Sequence, residues 1–451
     1  MVKADPRQIA VEILNRVDQG GYAEPLIDQA LSGKKFENIQ DRKLLTQIVY
    51  GTLRLRGRLD WILGSLYRGR LEKMDPRLRN LIRTGLYQIS ELDRIPDHAA
   101  VNESARIAAA LFPARVGLVN AILRNAIRKS EDIRFPDPET EPARFIASWH
   151  SHPLWLVEKW IERFGIEETS ALCQADNDNA PLCLRVNRIK ATRDAVLEEL
   201  SDLGFKAQKT GASPDGLIIR ESPHSIRETQ LFREGRIQIQ DEASQLIARI
   251  LDPQPGENIL DLCSGIGGKT THAAALMQNH GRITAIDIHP DKLKELEGLS
   301  HRLGISMIRT LAGDATQDLG KEFEASFDRI LLDAPCSGLG TLRRNPEIKW
   351  RLQPDDIKEF ASLQIRTLDR TRHYLREGGI LVYSTCSIMR EENEDVVEAF
   401  LRSHADYKLA DMPDRMLKDF TDSKGYFHTF PHRHGMDGFF AARLQRGPET
   451  N

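Results

Sequence analysis

Residues 258–287 read NILDLCSGIGGKTTHAAALMQNHGRITAID, and this run determines the fold predicted for the second half of the chain. Its first part, NILDLC, is a short apolar segment that ends in a turn, as buried strands do. A glycine-rich turn follows, then a stretch of helical character, then RITAID as a second apolar segment. Strand, tight turn, helix and strand in this order predict two parallel strands joined by a crossover helix.

The same alternation continues toward the C-terminus. Further apolar strands are predicted at SMIRTL (306–311), FDRILLD (327–333) and GILVYST (379–385). Helical stretches separate them, at PDKLKELEGLSHRL (290–303) and PDDIKEFASLQIRTLDRTRHYL (354–375). Strands that alternate with helices predict a doubly wound, mainly parallel sheet, so we expect an α/β domain at 236–446.

The glycine-rich turn is the first candidate ligand site, because ligands of such sheets bind at the carboxyl ends of the strands. Gly265, Gly267 and Gly268 permit a tight turn and a close approach to a ligand. The turn lacks the spacing of a P-loop, and G-I-G-G-K-T lacks the last glycine of a dinucleotide fingerprint. Asp287 ends the second strand, where a carboxylate can bind the hydroxyl groups of a ribose. Asp314 follows the third strand, where it can contact the edge of an adenine base. The combination favours S-adenosylmethionine.

Two cysteines, fifty residues apart, each follow a predicted strand: Cys336 in LLDAPCSG (331–338) and Cys386 in LVYSTCS (381–387). Taken singly, each is more typical of a small buried hydrophobe. Adjacent parallel strands lie about 5 Å apart, however, so both thiols can flank one ligand. A thiolate that adds to carbon 6 of a pyrimidine makes carbon 5 nucleophilic toward a methyl donor. Asp333, at the end of the fourth strand, can favour that addition at ring nitrogen 3.

Residues 1–130 are predicted to be helical. Asp5 before Pro6 is a helix-starting pattern. Three apolar faces at helical spacing follow, made of Ile9, Ile13, Leu14 and Val17, of Leu78, Leu81, Ile82, Leu86 and Ile89, and of Val116, Val119, Ile122, Leu123 and Ala126. This region holds 22 Lys and Arg against 14 Asp and Glu, a net +8, so the remainder carries −11. That asymmetry favours a polyanion-binding module, although an ordinary solvated helical domain is the alternative.

A linker and helices are predicted at 131–175, since RKSEDIRFPDPETEPARF (128–145) is rich in proline and acid. A small α/β module is predicted at 176–235. Its elements are the strands LCLRV, LIIRE and RIQIQ and the helix ATRDAVLEELSDLG. This module resembles an RNA-recognition sheet but lacks the aromatic strand motif that stacks bases.

Five cysteines, an odd number without a C-x-x-C pair, argue against a disulfide framework or a zinc site and favour a reducing cytoplasm. The start, MVKADPRQIAVEIL, lacks the features of a signal peptide. No apolar run approaches the roughly 20 residues of a membrane span, so no membrane partner is expected.

Five motifs resemble the successive motifs of the Sun (Fmu-type) family of RNA cytosine-C5 methyltransferases. They are QDEASQ (240–245), LDLCSGIGGKTTH (260–272), LLDAPCSGLGTLRRNPEIKW (331–350), LVYSTCSIMREENE (381–394) and PHRHGMDGFFAARL (431–444). GLYQISELDRIPDHAAVNE (85–103) and GLVNAILRNAIR (117–128) resemble the NusB-type fold that precedes the catalytic domain in the bacterial small-subunit rRNA branch. The resemblance covers nearly the whole chain.

The resemblance implies an all-α NusB-like bundle, a small RNA-recognition-like α/β module and a Rossmann-like methyltransferase domain with a mainly parallel seven-stranded sheet. It implies methyl transfer from S-adenosylmethionine to carbon 5 of a cytosine in 16S rRNA, through a covalent adduct at carbon 6 and without a metal. Cys386 is then the nucleophile, Cys336 assists its release, and Asp333 binds the base. The implied cofactor-binding residues are Cys263, Ser264, Gly265, Ile266, Gly267, Gly268, Lys269, Asp287, Asp314 and Asp333.

Some alternatives stay open. The same chemistry on tRNA, or a non-catalytic RNA-binding factor for ribosome assembly, fits many of these features. DNA cytosine methyltransferases take their nucleophile from the fourth-strand cysteine. The second cysteine, Cys386, and the NusB-like region argue against that group, so DNA is not expected as substrate. The protein is expected to be a monomer. The family usually reads C-A-A-P-G-G-K where this chain has Ser264, Gly265 and Ile266, which leaves the cofactor affinity open. Arg343 and Arg344 are expected to contact RNA phosphate or to lie in a solvated loop.

Overall fold

The computed structural model describes residues 5–32, 36 and 38–448, so the first four residues of the MVKADP start lie outside it. By their contacts the residues divide into two compact units. Unit 1 comprises residues 1–179 and the short segment Leu342–Arg351. Unit 2 comprises Ala180–Thr341 and residues 352–451.

The helices, in chain order, are α1 (Pro6–Asp18), α2 (Ala23–Ser32), α3 (Ile39–Arg54), α4 (Arg56–Leu66), α5 (Pro76–Glu91), α6 (Asp97–Leu111), α7 (Val116–Arg128), α8 (Pro142–Trp149), α9 (Leu154–Phe164), α10 (Ile166–Asn177), α11 (Arg193–Asp202), α12 (Gln230–Arg233), α13 (Glu242–Leu251), α14 (Gly268–Leu276), α15 (Pro290–Leu303), α16 (Ile348–Arg351), α17 (Pro354–Thr371), α18 (Glu394–Ser403) and α19 (Pro431–His434). The strands are β1 (Leu182–Val186), β2 (Lys206–Lys209), β3 (Gly216–Glu221), β4 (Ile237–Ile239), β5 (Asn258–Leu262), β6 (Arg282–Asp287), β7 (Ile308–Ala312), β8 (Phe327–Asp333), β9 (Leu375–Thr385), β10 (Tyr407–Leu409), β11 (Phe427–Thr429) and β12 (Phe439–Arg446).

Unit 1 is a helical bundle, as predicted. The Asp5 carboxylate accepts the Arg7 N–H at 2.9 Å and so satisfies one of the free amides at the start of α1. Apolar side chains at helical spacing on α1, α3, α5 and α7 are buried in one common core. Some arginines of this unit are hydrogen-bonded to other residues of the unit. Arg83, 2% exposed, holds Asp60 through two hydrogen bonds, at 2.7 and 2.6 Å.

The segment Leu342–Arg351 belongs to unit 1 although residues of unit 2 flank it in sequence. Trp350 donates its indole N–H to the Leu53 carbonyl at 2.8 Å, and Glu347 accepts the Ala23 N–H at 2.9 Å. Arg343 is only 5% exposed. The expectation that Arg343 contacts RNA phosphate or lies in a solvated loop is therefore wrong, because its side chain is enclosed by protein.

The smaller sheet of unit 2 has four antiparallel strands in the order β2-β3-β1-β4. Three of them match the predicted strands, and α11 matches the predicted helix. The fourth, β2, was not predicted. Its sequence, KAQK, is polar because it is an edge strand with mostly exposed side chains. The last strand, β4, lies beyond residue 235, the predicted limit of the module.

The larger sheet has the order β10-β12-β9-β8-β5-β6-β7. Its five predicted strands, β5 to β9, run parallel, and β12 and β10 extend the sheet in antiparallel pairing. These seven strands form the hydrogen-bonded path of the expected sheet, and β11 adds a short eighth strand on β12. Each face is covered by its own apolar cluster. Among the described residues, no helix combines the length and the apolar character needed to cross a membrane.

Candidate active site

The glycine-rich turn joins β5 to α14, as predicted. Gly265 and Gly267 have φ angles of 57° and 85°, which glycine adopts without strain. A Cβ atom on Gly267 would lie 2.5 Å from Cγ of Leu296, so a side chain does not fit there. Cys263 precedes these glycines, and burial raises the pKa of its thiol to about 12. Cys263 is therefore a neutral part of the turn at physiological pH.

Backbone contacts join this turn to the ends of the next two strands. The Gly265 N–H donates to the Asp287 carboxylate at 2.9 Å, and the Ser264 N–H donates to the Ile286 carbonyl at 2.9 Å. Gly313, which precedes Asp314, donates its N–H to the Asp287 carbonyl at 3.2 Å. The three parts of the predicted cofactor site, the turn and the ends of β6 and β7, therefore meet at one edge of the sheet.

The polar atoms of this edge suit a ligand that carries hydroxyl groups. Ser264 Oγ and Asp261 Oδ1 are buried, and neither has a hydrogen-bond partner among the residues that the structure describes. Each Asp287 oxygen accepts one backbone N–H and retains a second lone pair. Buried polar atoms normally have partners, so these atoms are available to hydrogen-bond a polar ligand such as a nucleoside.

Asp333 and Lys269 form an ion pair next to the turn, with Lys269 Nζ 2.6 Å from Asp333 Oδ2. Burial alone would lower the pKa of Lys269, but the negative charge of Asp333 and the hydrogen bond to it raise the pKa. Ser384 donates to Asp333 Oδ1 at 2.8 Å, and the Lys269 ammonium lies 5.0 Å from the centre of the Phe439 ring. Ser384 and Phe439 were not predicted as site residues. The parallel register that pairs Asp333 with Ser384 becomes apparent only once β8 and β9 are known to be neighbours.

The two cysteine sulfurs lie 3.4 Å apart at the ends of β8 and β9. Cys336 lies three residues beyond Asp333, the last residue of β8, and Cys386 directly follows Thr385, the last residue of β9. The Gly340 N–H donates to the Cys386 carbonyl at 2.8 Å, which ties the two loops together. The hydrogen bond between the thiols, together with burial, raises the pKa of Cys336 well above its usual range. The structure thus brings together the cysteines that the sequence placed fifty residues apart.

Other predicted features have ordinary surroundings. Asp314 accepts the N–H and the hydroxyl of Thr316, and these hydrogen bonds lower the pKa of its carboxyl group. Ile266 is half exposed at the tip of the turn. No cluster of three or more potential metal ligands occurs within residues 5–32, 36 and 38–448.

Three family models match the chain. The model described as "16S rRNA methyltransferase RsmB/F" matches residues 248–445. The model of the NusB family matches residues 4–128. The model described as "Methyltr_RsmF/B-like, ferredoxin-like domain" matches residues 152–226.

Similar proteins match over the full length. A protein of Bacillus subtilis (strain 168), named probable ribosomal RNA small subunit methyltransferase B, is 36% identical over 99% of this chain and 100% of its own length. A protein of Escherichia coli O6:K15:H31, named ribosomal RNA small subunit methyltransferase B, is 34% identical over 97% of this chain and 98% of its own. The crystal structure of PH0851 superimposes with a TM-score of 0.84 at 29% identity, covering 99% of this chain and 100% of PH0851.

Proposed function

Since the chain belongs to the Sun (Fmu-type) family of rRNA small-subunit methyltransferases, we propose that it transfers a methyl group from S-adenosylmethionine to carbon 5 of a cytosine in 16S ribosomal RNA. The observation that carries this proposal is the 3.4 Å separation of Cys336 and Cys386 beside the Asp333–Lys269 pair. Two thiols and a carboxylate at one point suit a reaction in which one thiol adds to a ring and the second assists its release.

The first step is the addition of the Cys386 thiolate to carbon 6 of the cytosine. Either thiol can donate in this pair, and we assign the donor role to Cys336, because its hydrogen bond to Cys386 and its burial raise its pKa. A thiol that donates to Cys386 stabilises the attacking thiolate. Asp333 binds the base at ring nitrogen 3, and the Lys269 ammonium offsets the carboxylate charge. As the S–C6 bond forms, the C5=C6 electron pair moves to C4=C5 and the C4=N3 pair moves to nitrogen 3, which takes up a proton through Asp333. Carbon 5 of the resulting enamine is nucleophilic. S-adenosylmethionine, when bound, supplies an electrophilic methyl group.

Release of the product requires loss of the proton on carbon 5. Once Cys386 has become a thioether it no longer carries the charge that favours protonation of Cys336. Cys336 can then give up its proton to water and accept the proton from carbon 5. The electron pair of the C5–H bond forms the C5=C6 double bond, the S–C6 bond breaks to regenerate the Cys386 thiolate, and nitrogen 3 returns its proton through Asp333.

The cofactor is assigned to the edge where the glycine turn meets β6 and β7. The unpartnered Ser264 Oγ and the remaining lone pairs of Asp287 support that assignment. The residues proposed to hold it are Cys263, Ser264, Gly265, Ile266, Gly267, Gly268, Lys269, Asp287, Asp314 and Asp333. Lys269 and Asp333 lie where this set adjoins the cysteines.

The proposal includes a monomer that acts in the reducing cytoplasm and binds neither DNA nor a membrane. It also includes the predicted limits of the domains, at 1–130, 131–175, 176–235 and 236–446. The basic N-terminal region is proposed to contact the rRNA.

The test compares Cys386→Ala and Cys336→Ala with the wild type on 16S rRNA from a deletion strain. Cys386→Ala should abolish methylation. Cys336→Ala should instead accumulate a covalent RNA–protein adduct, visible as a shifted band in a denaturing gel. Cys173→Ala, a change at a fully buried cysteine in unit 1, is the matched control.

A Cys336→Ala variant that turns over normally without an adduct would contradict the roles given to the cysteines. Bisulfite sequencing of total RNA from the deletion strain identifies the substrate. A missing signal in tRNA rather than in 16S rRNA would redirect the proposal to tRNA. A failure of the protein to bind S-adenosylmethionine in calorimetry would favour a non-catalytic assembly factor.

A further inference from the structure

The carboxylate of Glu392 lies between the two loops that carry the cysteines. Glu392 is completely buried, in a short turn between β9 and α18. One of its oxygens accepts the backbone N–H of Ser337 at 2.8 Å. The other accepts the hydroxyl groups of both Ser337 and Ser387. A single side chain therefore holds both loops.

The positions of the two serines give this arrangement its significance. Ser337 directly follows Cys336, and Ser387 directly follows Cys386. Their hydroxyl oxygens are also 3.1 Å apart, so the residues next to the cysteines form one connected network. Ser337 donates its backbone N–H and its hydroxyl group to Glu392, and Ser387 donates its hydroxyl group, so the residue after each cysteine is hydrogen-bonded to this one carboxylate.

A third element supports the same network from the other side. The Gln364 side-chain amide on α17 donates to Glu392 at 3.2 Å and to the carbonyl of Pro335 at 2.9 Å. Pro335 directly precedes Cys336, so the Cys336 peptide is held at both of its neighbours.

Burial of a carboxylate costs free energy that an apolar side chain at the same place would not cost. Burial raises the pKa of Glu392, and the hydrogen bonds from Ser337, Ser387 and Gln364 oppose that rise. A buried carboxylate is stable only when its hydrogen-bonding capacity is satisfied, and an apolar residue of similar volume usually packs there as well or better. A charged residue at this place is therefore explained best by the geometry that it imposes.

We propose that Glu392 is a positioning residue that keeps Cys336 and Cys386 in contact, so that both reach the same cytosine. The effect of Glu392 on kcat rests on the proposed function. Its effect on the separation of the two thiols does not, because that effect involves only the two cysteine loops. Glu392 itself touches neither sulfur in the hydrogen-bond network and acts through Ser337 and Ser387.

The structural consequence can be measured without RNA or cofactor. Phenylarsine oxide binds tightly only where two thiols can bridge one arsenic atom. The wild type should take up one equivalent, and Cys336→Ala should lose that uptake. Glu392→Ala should weaken arsenical binding about tenfold or more, because the two thiols lose their fixed separation and hence their effective concentration. Glu392→Gln should retain binding, since an amide can serve the same serine and backbone groups.

Glu242→Ala is the matched control for general loss of stability. Glu242 is also buried in unit 2, and it accepts the backbone N–H groups of Ala212 and Ser213 at 2.6 and 2.8 Å. Its loss should lower the unfolding temperature without changing arsenical binding. If Glu392→Ala fails to fold, Ser387→Ala removes one bond of the network and should give a smaller loss of binding.

The kinetic arm uses 16S rRNA as substrate. Glu392→Ala should lower kcat about a hundredfold, as displacement of a reacting group by about 1 Å does, and leave KM for RNA unchanged. Glu392→Gln should restore most of kcat. Wild-type arsenical binding by a folded Glu392→Ala or Ser387→Ala variant would overturn the proposal. An enzyme that binds the arsenical as expected but methylates no RNA would instead refute the proposed function.

Discussion

Asp261 shows how a single residue beside the cofactor turn responds to burial. It is 2% exposed within β5, and burial raises the pKa of its carboxyl group to about 7, although a hydrogen bond from Thr270 opposes the rise. In the folded protein this group therefore keeps its proton to a higher pH than in the unfolded chain. Protein stability must then fall as the pH rises from about 4 to about 7, because the folded state loses its advantage in proton binding across that window.

Asp261→Asn tests this dependence. The amide is neutral at every pH and can still accept the Thr270 hydroxyl. The variant should therefore gain stability relative to the wild type as the pH rises from 4 to 7, by ~4 kcal/mol at most. Thermal unfolding midpoints of both proteins at several pH values measure the difference. Parallel curves would mean that Asp261 is ionised in the folded protein.

The sequence indicated candidate site residues but not the side chains that they contact. Lys269 was assigned to the cofactor alone, yet its ammonium group pairs with Asp333. Glu392 lies in a quoted motif, REENE, but nothing in that motif indicates which of its three glutamates is buried. Partners of this kind lie 55 to 64 residues away along the chain, so no local pattern encodes them.

At the scale of elements, the turn before α14 depends on glycine at one position above all. Gly267 begins the helix from a left-handed conformation, and its missing Cβ leaves room for Leu296 of α15. Helix α14 can approach α15 only because this position has no side chain.

Gly267→Ala should therefore be destabilising and should impair the cofactor site. The φ of 85° costs roughly 1 kcal/mol or more for alanine, and the clash with Leu296 adds to that cost. We expect a lower unfolding temperature and weaker S-adenosylmethionine binding in calorimetry. Gly298→Ala, on α15 where a Cβ meets open space, is the control and should be neutral or stabilising. Equal effects of the two changes would contradict this account.

Most elements could be predicted because their signals are local. The helix expected at 290–303 is α15, Pro290–Leu303, and the strand expected at 327–333 is β8. Apolar period, proline at the first turn and glycine after the last turn suffice for such elements. The polar edge strand β2 and the three-residue strand β11 lack such signals, since their pairing partners alone make them strands.

At the scale of the whole molecule, the predicted fold is confirmed: a NusB-like helical N-terminal domain, a small middle domain and a C-terminal methyltransferase domain. One feature was not anticipated. Unit 1 includes Leu342–Arg351, which was read as part of the catalytic domain. Within this segment Lys349 is 1% exposed, and burial lowers its pKa to about 7. The segment is thus an interior part of unit 1.

A fragment of residues 1–179 should therefore be less stable than unit 1 is in the full chain. A synthetic peptide of residues 342–351 should raise the unfolding temperature of the fragment by about 2 to 4 °C for each kcal/mol of binding energy. Circular dichroism at increasing peptide concentration measures the effect. A peptide with Trp350→Ala, which loses the bond to Leu53, is the control and should act weakly. No response to either peptide would mean that the bundle is complete without this segment.

The charge asymmetry illustrates what the sequence could not resolve at this scale. The basic excess of residues 1–130 is real, but several of its arginines are engaged within unit 1. Arg54 donates to the Arg343 carbonyl at 2.9 Å, and Arg56 pairs with Asp18 at 3.0 Å. Arg68 and Arg70, by contrast, are exposed. A count of charges does not distinguish arginines that bind RNA from those that hold the bundle together.

The sequence by itself determined the order of helices and strands, the parallel sheet and the edge at which the candidate residues collect. These follow from hydrophobic period, turn chemistry and the rule that parallel strands end together. Only the tertiary structure decided that the sulfurs touch, that Glu392 holds their loops and that Leu342–Arg351 packs in unit 1. The physical reason is that the cost of burying a charge or a thiol depends on its partners, and those partners are brought close only when the chain has folded.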